Sequence, residues 1–432
     1  MSSYQIEGAV DEGGRGESIW DRFTATPGTI VDGSSGRVAC DSYHRYPEDV
    51  ELLRGLGVNA FRFSVAWPRI LPEGVGKPND AGLDFYDRFV NELLAADIEP
   101  FVTLYHWDLP QVLEDSGGWP ARATAEAYTE YVAVVSSRLG DRVRNWITMC
   151  EPWVVSWLGY GSGEHAPGRK SERDAFAAAH HVLLGHGLAA EVLRREQSDA
   201  RVGITIDCVP MYPATESEAD LEAARLADAI RNRWILDPVF RGEYPAEMHE
   251  RFSPDSPTIL DGDLETIAAP LDFLGVNTYT RNIVHADPET GRPEAVQARG
   301  AEHTAKGWEV FPEALTNVLL RVWNDYAPPE LYVTENGAAF DDVLADGVVD
   351  DPRRVSYLET HLEAVAQAID QGAPVAGYFL WSLLDNFEWA RGYTERFGIV
   401  YVDFETLERI PKASYLWYRD FIAAQRVALP AR

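Results

Sequence analysis

Two glutamates stand where a fold gains nothing from them. Leu331-Tyr332-Val333 is a short apolar run of strand type, and Thr334-Glu335-Asn336-Gly337 follows at once. Trp146-Ile147-Thr148-Met149-Cys150 is equally strand-like and runs straight into Glu151-Pro152-Trp153. A carboxylate at the end of a buried strand is costly unless donors surround it or chemistry needs it. Two such carboxylates, Glu151 and Glu335, could act as a pair. One would attack or stabilise and the other would move a proton, as cleavage of a glycosidic bond requires. The residues agree on the pair and leave the two roles open. The competing structural reading, a turn carboxylate in an ion pair, serves well for one such glutamate and poorly for two.

The elements that would position this pair repeat a rhythm of β-type run, loop and helical period. Candidate strands are Ala60–Ser64, Pro100–Tyr105, Trp146–Cys150, Val202–Cys208, Phe273–Asn277, Leu331–Thr334 and Val375–Trp381. Between them apolar residues recur at helical spacing. Val355, Leu358, Leu362, Val365 and Ile369 form one stripe, opened by Pro352 and closed by Gly372. Leu83, Tyr86, Val90 and Leu93 form another, and Tyr128, Tyr131, Val135 and Leu139 a third. Alternating β and α elements imply a parallel sheet. Seven strands are visible, and an eighth would close a (β/α)8 TIM barrel. Met1-Ser2-Ser3-Tyr4-Gln5 reads as the tail of that strand, so the first strand is expected to be truncated and the seam beside it weakened.

In such a barrel the site forms at the C-terminal ends of the strands. Arg62, His106, Glu151, Asn277, Glu335 and Trp381 all fall at or near those ends. An open doubly wound sheet would not account for so many polar strand ends. Residues 1–432 read as a single domain, because no Pro/Ser-rich linker divides them. Asn282 to Lys306 is polar, rich in Pro and Gly, and without a period, which predicts a loop over the barrel mouth.

Composition narrows the function further. With 38 Lys and Arg against 69 Asp and Glu, the net charge is −31, which argues against binding a phosphate backbone. The three cysteines are widely spaced, without a C-x-x-C pair, and suit a reducing cytoplasm. No apolar run is long enough to span a bilayer. No cofactor or metal is expected. Gly74-Val75-Gly76-Lys77 lacks the flanking residues of a phosphate loop, and His249-Glu250 lacks the second His of a zinc helix. The paired His180-His181 reads as core packing.

The chain resembles family 1 of the glycoside hydrolases, the β-glucosidase family, over nearly its whole length. The stretches that carry the resemblance are Tyr4-Gln5-Ile6-Glu7-Gly8, Phe61-Arg62-Phe63-Ser64-Val65-Ala66-Trp67-Pro68-Arg69 and Tyr105-His106-Trp107-Asp108-Leu109-Pro110. Thr334-Glu335-Asn336-Gly337 and Trp381-Ser382-Leu383-Leu384-Asp385-Asn386-Phe387-Glu388-Trp389 complete the set. The resemblance implies a retaining double displacement, with Glu335 as nucleophile and Glu151 as acid/base. Arg62, Asn277 and Tyr279 match supporting residues around the nucleophile. Gln5, His106, Glu388 and Trp389 would meet the sugar hydroxyls and Trp381 would lie under the sugar face. Trp107, Cys150 and Phe397 are further substrate-binding positions, while Trp153, Trp157 and Trp308 would line the leaving-group side. The implied substrates are small β-glucosides, galactosides or fucosides among them, and cello-oligosaccharides; Glu388 disfavours a 6-phosphate.

One departure bears on activity. The family usually carries asparagine where this chain has Cys150, and a thiol is a weak donor. Reduced turnover is therefore expected. The rival reading is a degenerate sugar-binding protein with the same pocket and little catalysis. Oligomeric state is not legible.

Overall fold

The computed structural model describes residues 1–248, 255 and 257–428; His249 and Glu250 lie outside them. Seven parallel strands make the central sheet: β1 (Ala60–Ser64), β2 (Glu99–Thr103), β3 (Asn145–Cys150), β4 (Arg201–Asp207), β5 (Phe273–Asn277), β6 (Leu331–Asn336) and β7 (Val375–Leu380). They are hydrogen-bonded in chain order from β1 to β7. These are the seven runs expected, displaced by one or two residues at their ends. Helices Asp80–Ala95, Arg122–Leu139 and Pro352–Asp370 carry the three apolar stripes.

The strands curl into a nearly closed barrel, and its interior is filled rather than hollow. Phe101, Ile147, Phe273 and Tyr332, from β2, β3, β5 and β6, pack into one cluster with Ala60 and Phe379 from β1 and β7. Phe101 lies with ring centroids 4.9 Å from Phe379 and 5.3 Å from Tyr332. Space for these rings comes from the opposing backbone: a Cβ on Gly203 would stand 2.4 Å from the Phe273 ring. At the catalytic end the constraint is tighter. A Cβ on Gly337 would meet the Trp381 carbonyl at 1.7 Å, so the turn after Glu335 admits only glycine.

The expected strand tail at the N-terminus is corrected by the structure. Met1 alone joins β1, its nitrogen donating to Arg62 O at 2.7 Å and its carbonyl accepting from Ser64 N at 3.2 Å. From Ser3 to Ile6 the chain winds into a helical turn. Between β1 and β7 lies a cavity of about 60 Å³ lined by Met1, Phe61, Arg62, Phe379, Leu380 and Trp381 among others. No backbone ladder joins β1 to β7 among the described residues.

The loop expected over Asn282–Lys306 contains structure of its own. Asn282–Ala286 and Pro293–Val296 form an antiparallel hairpin, and Met211–Pro213 pairs with its first strand. The hairpin's first strand packs Val284 against Ala223 and Ala224, while its second is mostly exposed, so the sequence shows no clear alternation. Cys40, Cys150 and Cys208 are all free and buried. Among the described residues no helix is long and apolar enough to cross a membrane.

Because Phe101 bridges both ends of the sheet inside the barrel, Phe101→Ala is expected to lower stability by about 3–5 kcal/mol. Urea unfolding followed by tryptophan fluorescence measures it. A loss below about 1 kcal/mol would mean that this cluster does not hold the barrel together.

Candidate active site

The strand ends converge on one cavity of about 320 Å³. Glu151 and Glu335 both line it, with His106, Trp107, Asn277, Tyr279, Trp381, Glu388, Trp389 and Phe397. Ten of the thirteen residues selected from the sequence therefore share one wall. The remaining three, Arg62, Cys150 and Gln5, stand directly behind it.

Glu335, on β6, is surrounded by donors. Arg62 Nη1 reaches its Oε1 at 2.6 Å, and the Tyr279 hydroxyl donates to Oε2 at 2.5 Å. Burial first, and then the Glu335 charge, push the Tyr279 phenol well above its ordinary range, so it stays a donor. An ionised carboxylate only accepts hydrogen bonds, and that is the form these neighbours suit. Arg62 itself is held by Thr103 Oγ1 at 3.1 Å.

Glu151 has the opposite surroundings. It follows β3 directly, in the left-handed region at φ +54°, where non-glycine residues are rare outside strained functional positions. Its N–H donates to Thr205 O at 2.9 Å. Its Oε1 accepts from Asn277 Nδ2 at 2.6 Å. Burial raises its carboxyl well above the usual range, and the charges of Asp207 and then Glu335 add to the effect. One carboxylate held by an arginine and a phenol, the other pressed toward its protonated form, is how a nucleophile and an acid are separated.

Asn277 joins the two sides. Its Oδ1 accepts from Thr334 Oγ1 at 2.7 Å, next to Glu335, while its amide holds Glu151. Cys150 lies under the same junction: Arg62 Nη2 donates to Sγ at 3.0 Å, and Sγ stands 3.7 Å from Glu335 Oε1. Burial keeps the thiol far above its ordinary range, ahead of the opposing pull of Arg62. His106, Cys150 and Glu335 bring ligand-type atoms within 4.8 Å of one another. Arg62 already supplies the positive charge there, so the group is read as part of the carboxylate's setting and not as a metal centre.

The remaining wall is aromatic and acidic. His106 is buried and kept neutral, well below its usual range, by burial and then by Arg62. Its ring lies 6.0 Å from Trp381 and 5.8 Å from Trp389. Trp107 and Trp389 pack at 4.4 Å, and both hold left-handed backbone. Gln5 does not reach the cavity wall. Its Nε2 donates to Asn386 Oδ1 and Phe387 O at 2.9 Å each and lies 3.5 Å from Glu388 Oε2. It fixes the segment that presents Glu388.

Five charged residues of the wall, Glu164, Asp207, Arg231, Lys306 and Arg391, have no place in the sequence reading of the site. Lys306 is ion-paired with Glu388, stands 3.7 Å from Glu395, and lies over the Trp308 ring. Asp207 and Arg231 line the cavity on the Glu151 side. Asp207 had a signal, being the polar end of a barrel strand. Arg231 comes from a π-helical turn and Lys306 from a loop, and neither carries one. Trp308 lines the cavity as expected, whereas Trp153 and Trp157 stack on each other beside it.

The model of "Glycosyl hydrolase family 1" matches residues 1–427. The chain belongs to this family. It is 46% identical to "Beta-glucosidase A" of Acetivibrio thermocellus over 98% of this chain and 95% of that protein. The "Bifunctional beta-D-glucosidase/beta-D-fucosidase" of Bifidobacterium breve is also 46% identical, covering 98% and 96%. The solved structure of the "Family 1 b-glucosidase from Thermotoga maritima" superposes with a TM-score of 0.96 at 46% identity, over 98% of this chain and 95% of that one. The (β/α)8 barrel and O-glycoside hydrolase activity come with family 1 membership.

Cys150 places a weak thiol donor beside Glu335, at the position where the sequence reading expects asparagine. Cys150→Asn is expected to raise kcat on an aryl β-glucoside about tenfold or more, against an upper bound of about 10²–10³-fold for one well-placed transition-state donor. Steady-state kinetics of the two proteins decide it, and an unchanged or lower kcat would clear the thiol of any cost.

Proposed function

We propose that this chain hydrolyses terminal, non-reducing β-D-glucosides with retention of configuration. Cello-oligosaccharides and β-fucosides or β-galactosides are included among its substrates. The observation that carries this reading is the unequal setting of two carboxylates on one cavity: Glu335 between Arg62 and Tyr279, Glu151 buried beside Asp207. The names of the relatives support the substrate class.

In the first step a Glu335 oxygen attacks the anomeric carbon. The bond to the leaving oxygen breaks, its electron pair stays with that oxygen, and Glu151 gives it a proton. Glu335 is then an ester of the sugar. Arg62 and Tyr279, which donate to Glu335, then favour the second step, because they stabilise the carboxylate that re-forms as Glu335 departs. In the second step Glu151, now ionised, takes a proton from water as the water oxygen attacks the same carbon. Glu335 leaves with its electron pair, and both carboxyls return to their starting states. Two inversions give net retention.

Trp381 offers a flat apolar face to the sugar ring, and Glu388, poised by Gln5 and Lys306, accepts from its hydroxyls. Three free buried thiols fit a reducing compartment, and we place the protein in the cytoplasm on that ground.

The test is a panel of aryl β-glycosides run on the protein and on Glu335→Gln. Release from glucoside, with a loss of about 10³-fold or more in the variant, is the expected outcome. Mass spectrometry of the protein quenched with a slow fluorinated glucoside should find the sugar on the peptide containing Glu335. Glucoside binding without release by the unaltered protein would favour the rival sugar-binding reading.

A further inference from the structure

The leaving-group half of the cavity contains an ion pair with no evident part in folding. Asp207 is the last residue of β4, and its register partner on β5 is Asn277, the donor to Glu151. Thr205, two residues earlier on β4, accepts from the Glu151 N–H. The acid/base glutamate is therefore held by the same two strand ends that present Asp207. Arg231, from the π-helical turn Ala229–Arg233, pairs with Asp207 through Nη1. Its guanidinium carbon lies 3.7 Å from the ring centroid of Trp153, two residues after Glu151. The Asp207 charge is opposed chiefly by Arg231, ahead of its own backbone N–H, in a buried site where such charges act strongly.

We propose that the Asp207–Arg231 pair positions the proton of the reaction: Asp207 keeps Glu151 protonated through neutral pH, and Arg231 limits that hold. The proposal rests on Glu151 as the acid/base and adds the device that sets when it is armed.

The groups that face Glu151 support this assignment. Asp207 and Arg231 approach from the β4 side, and Glu335 stands opposite with Arg62 and Tyr279 attached. Cys150 is its neighbour in sequence, and His106, Glu164, His165, Lys306, Glu388 and Arg391 lie farther round the cavity. After burial, Asp207 makes the largest contribution to raising the Glu151 carboxyl, Glu335 follows, and Arg231 opposes. Burial lifts Asp207 itself to about 6, against the pull of Arg231. Asp207 is consequently charged through the neutral range, where Glu151 must keep its proton, and loses that influence only in acid. A negative neighbour makes a carboxyl lose its proton at higher pH, so Asp207 extends the active range upward.

The experiment is the pH profile of kcat/KM on phenyl β-glucoside. The near-isosteric Asp207→Asn should move the alkaline limb down by roughly half a pH unit or more. Adding Arg231→Gln to it should bring the limb part of the way back, because the unbalanced cation is then gone. On 2,4-dinitrophenyl β-glucoside, whose leaving group departs without a proton, the loss above neutral pH should be much smaller. An unmoved limb, or equal losses on both substrates, would overturn the proposal and leave the pair a structural role. Should Asp207→Asn fail to fold, Arg231→Gln alone carries the test: the limb should rise, and a static or falling limb overturns it. Failure of the acid/base reading itself is seen separately, since Glu151→Gln would then spare phenyl β-glucoside turnover.

Discussion

The guanidinium of Arg62 is the group on which the site depends. It is buried at the middle of β1, inside a barrel that also holds the largely aromatic cluster of Phe101, Phe273, Tyr332 and Phe379. A charge in such a place is tolerated only when its donors are satisfied by well-placed acceptors. The structure meets that demand across the barrel, with Thr103 on β2, Cys150 on β3, and Thr334 and Glu335 on β6. The same contacts that satisfy the cation aim Glu335 into the cavity. The position of the carboxylate and the stability of the barrel's upper half are thus one problem with one solution.

Glu151 follows from that arrangement. A second carboxylate on the same cavity cannot share the cation, and it is placed where burial and two negative neighbours disfavour its charge. Its left-handed backbone, with that of Trp107 and Trp389, shows that the cavity wall was shaped against local preference. Residues at positive φ persist only where the surroundings over-determine them. Here the surroundings are the ladder bond from Glu151 to Thr205, the Trp107 indole on Cys150 O, and the Glu388–Gly392 turn. The barrel supplies the rigidity and the loops after each strand supply the chemistry.

Much of this was legible before any coordinates. The seven strands were visible because a parallel sheet buried on both faces writes itself as continuous apolar runs. Glu151, Glu335, Asn277 and His106 were visible because each interrupts such a run with a polar group. Met1–Gln5 misled, since an apolar residue followed by short polar ones fits a strand tail and a helical turn equally. The hairpin within 282–306 is not legible because Val284 is the single fully buried residue of its two strands, too little to impose a visible alternation. Asp207 could have been found by the rule that found the others. Arg231 and Lys306 could not, because charged residues outside the strands are ordinarily solvated and nothing local marks these two as partners of a carboxylate.

The residue order alone determined that the chain alternates strand and helix, that two carboxylates stand at strand ends, and that the chain resembles one family of sugar-cleaving enzymes. These are local properties, set by periodicity and by residue type, and one dimension suffices to record them. Tertiary structure alone decided that Gln5 stands behind the wall, that Arg62 serves Cys150 and Glu335 together, and that Asp207 and Arg231 flank the acid. Such facts depend on distances between strands far apart in sequence and on the dielectric in which their charges meet. Charge interactions fall with separation and with solvent screening, and neither is fixed until the barrel has folded.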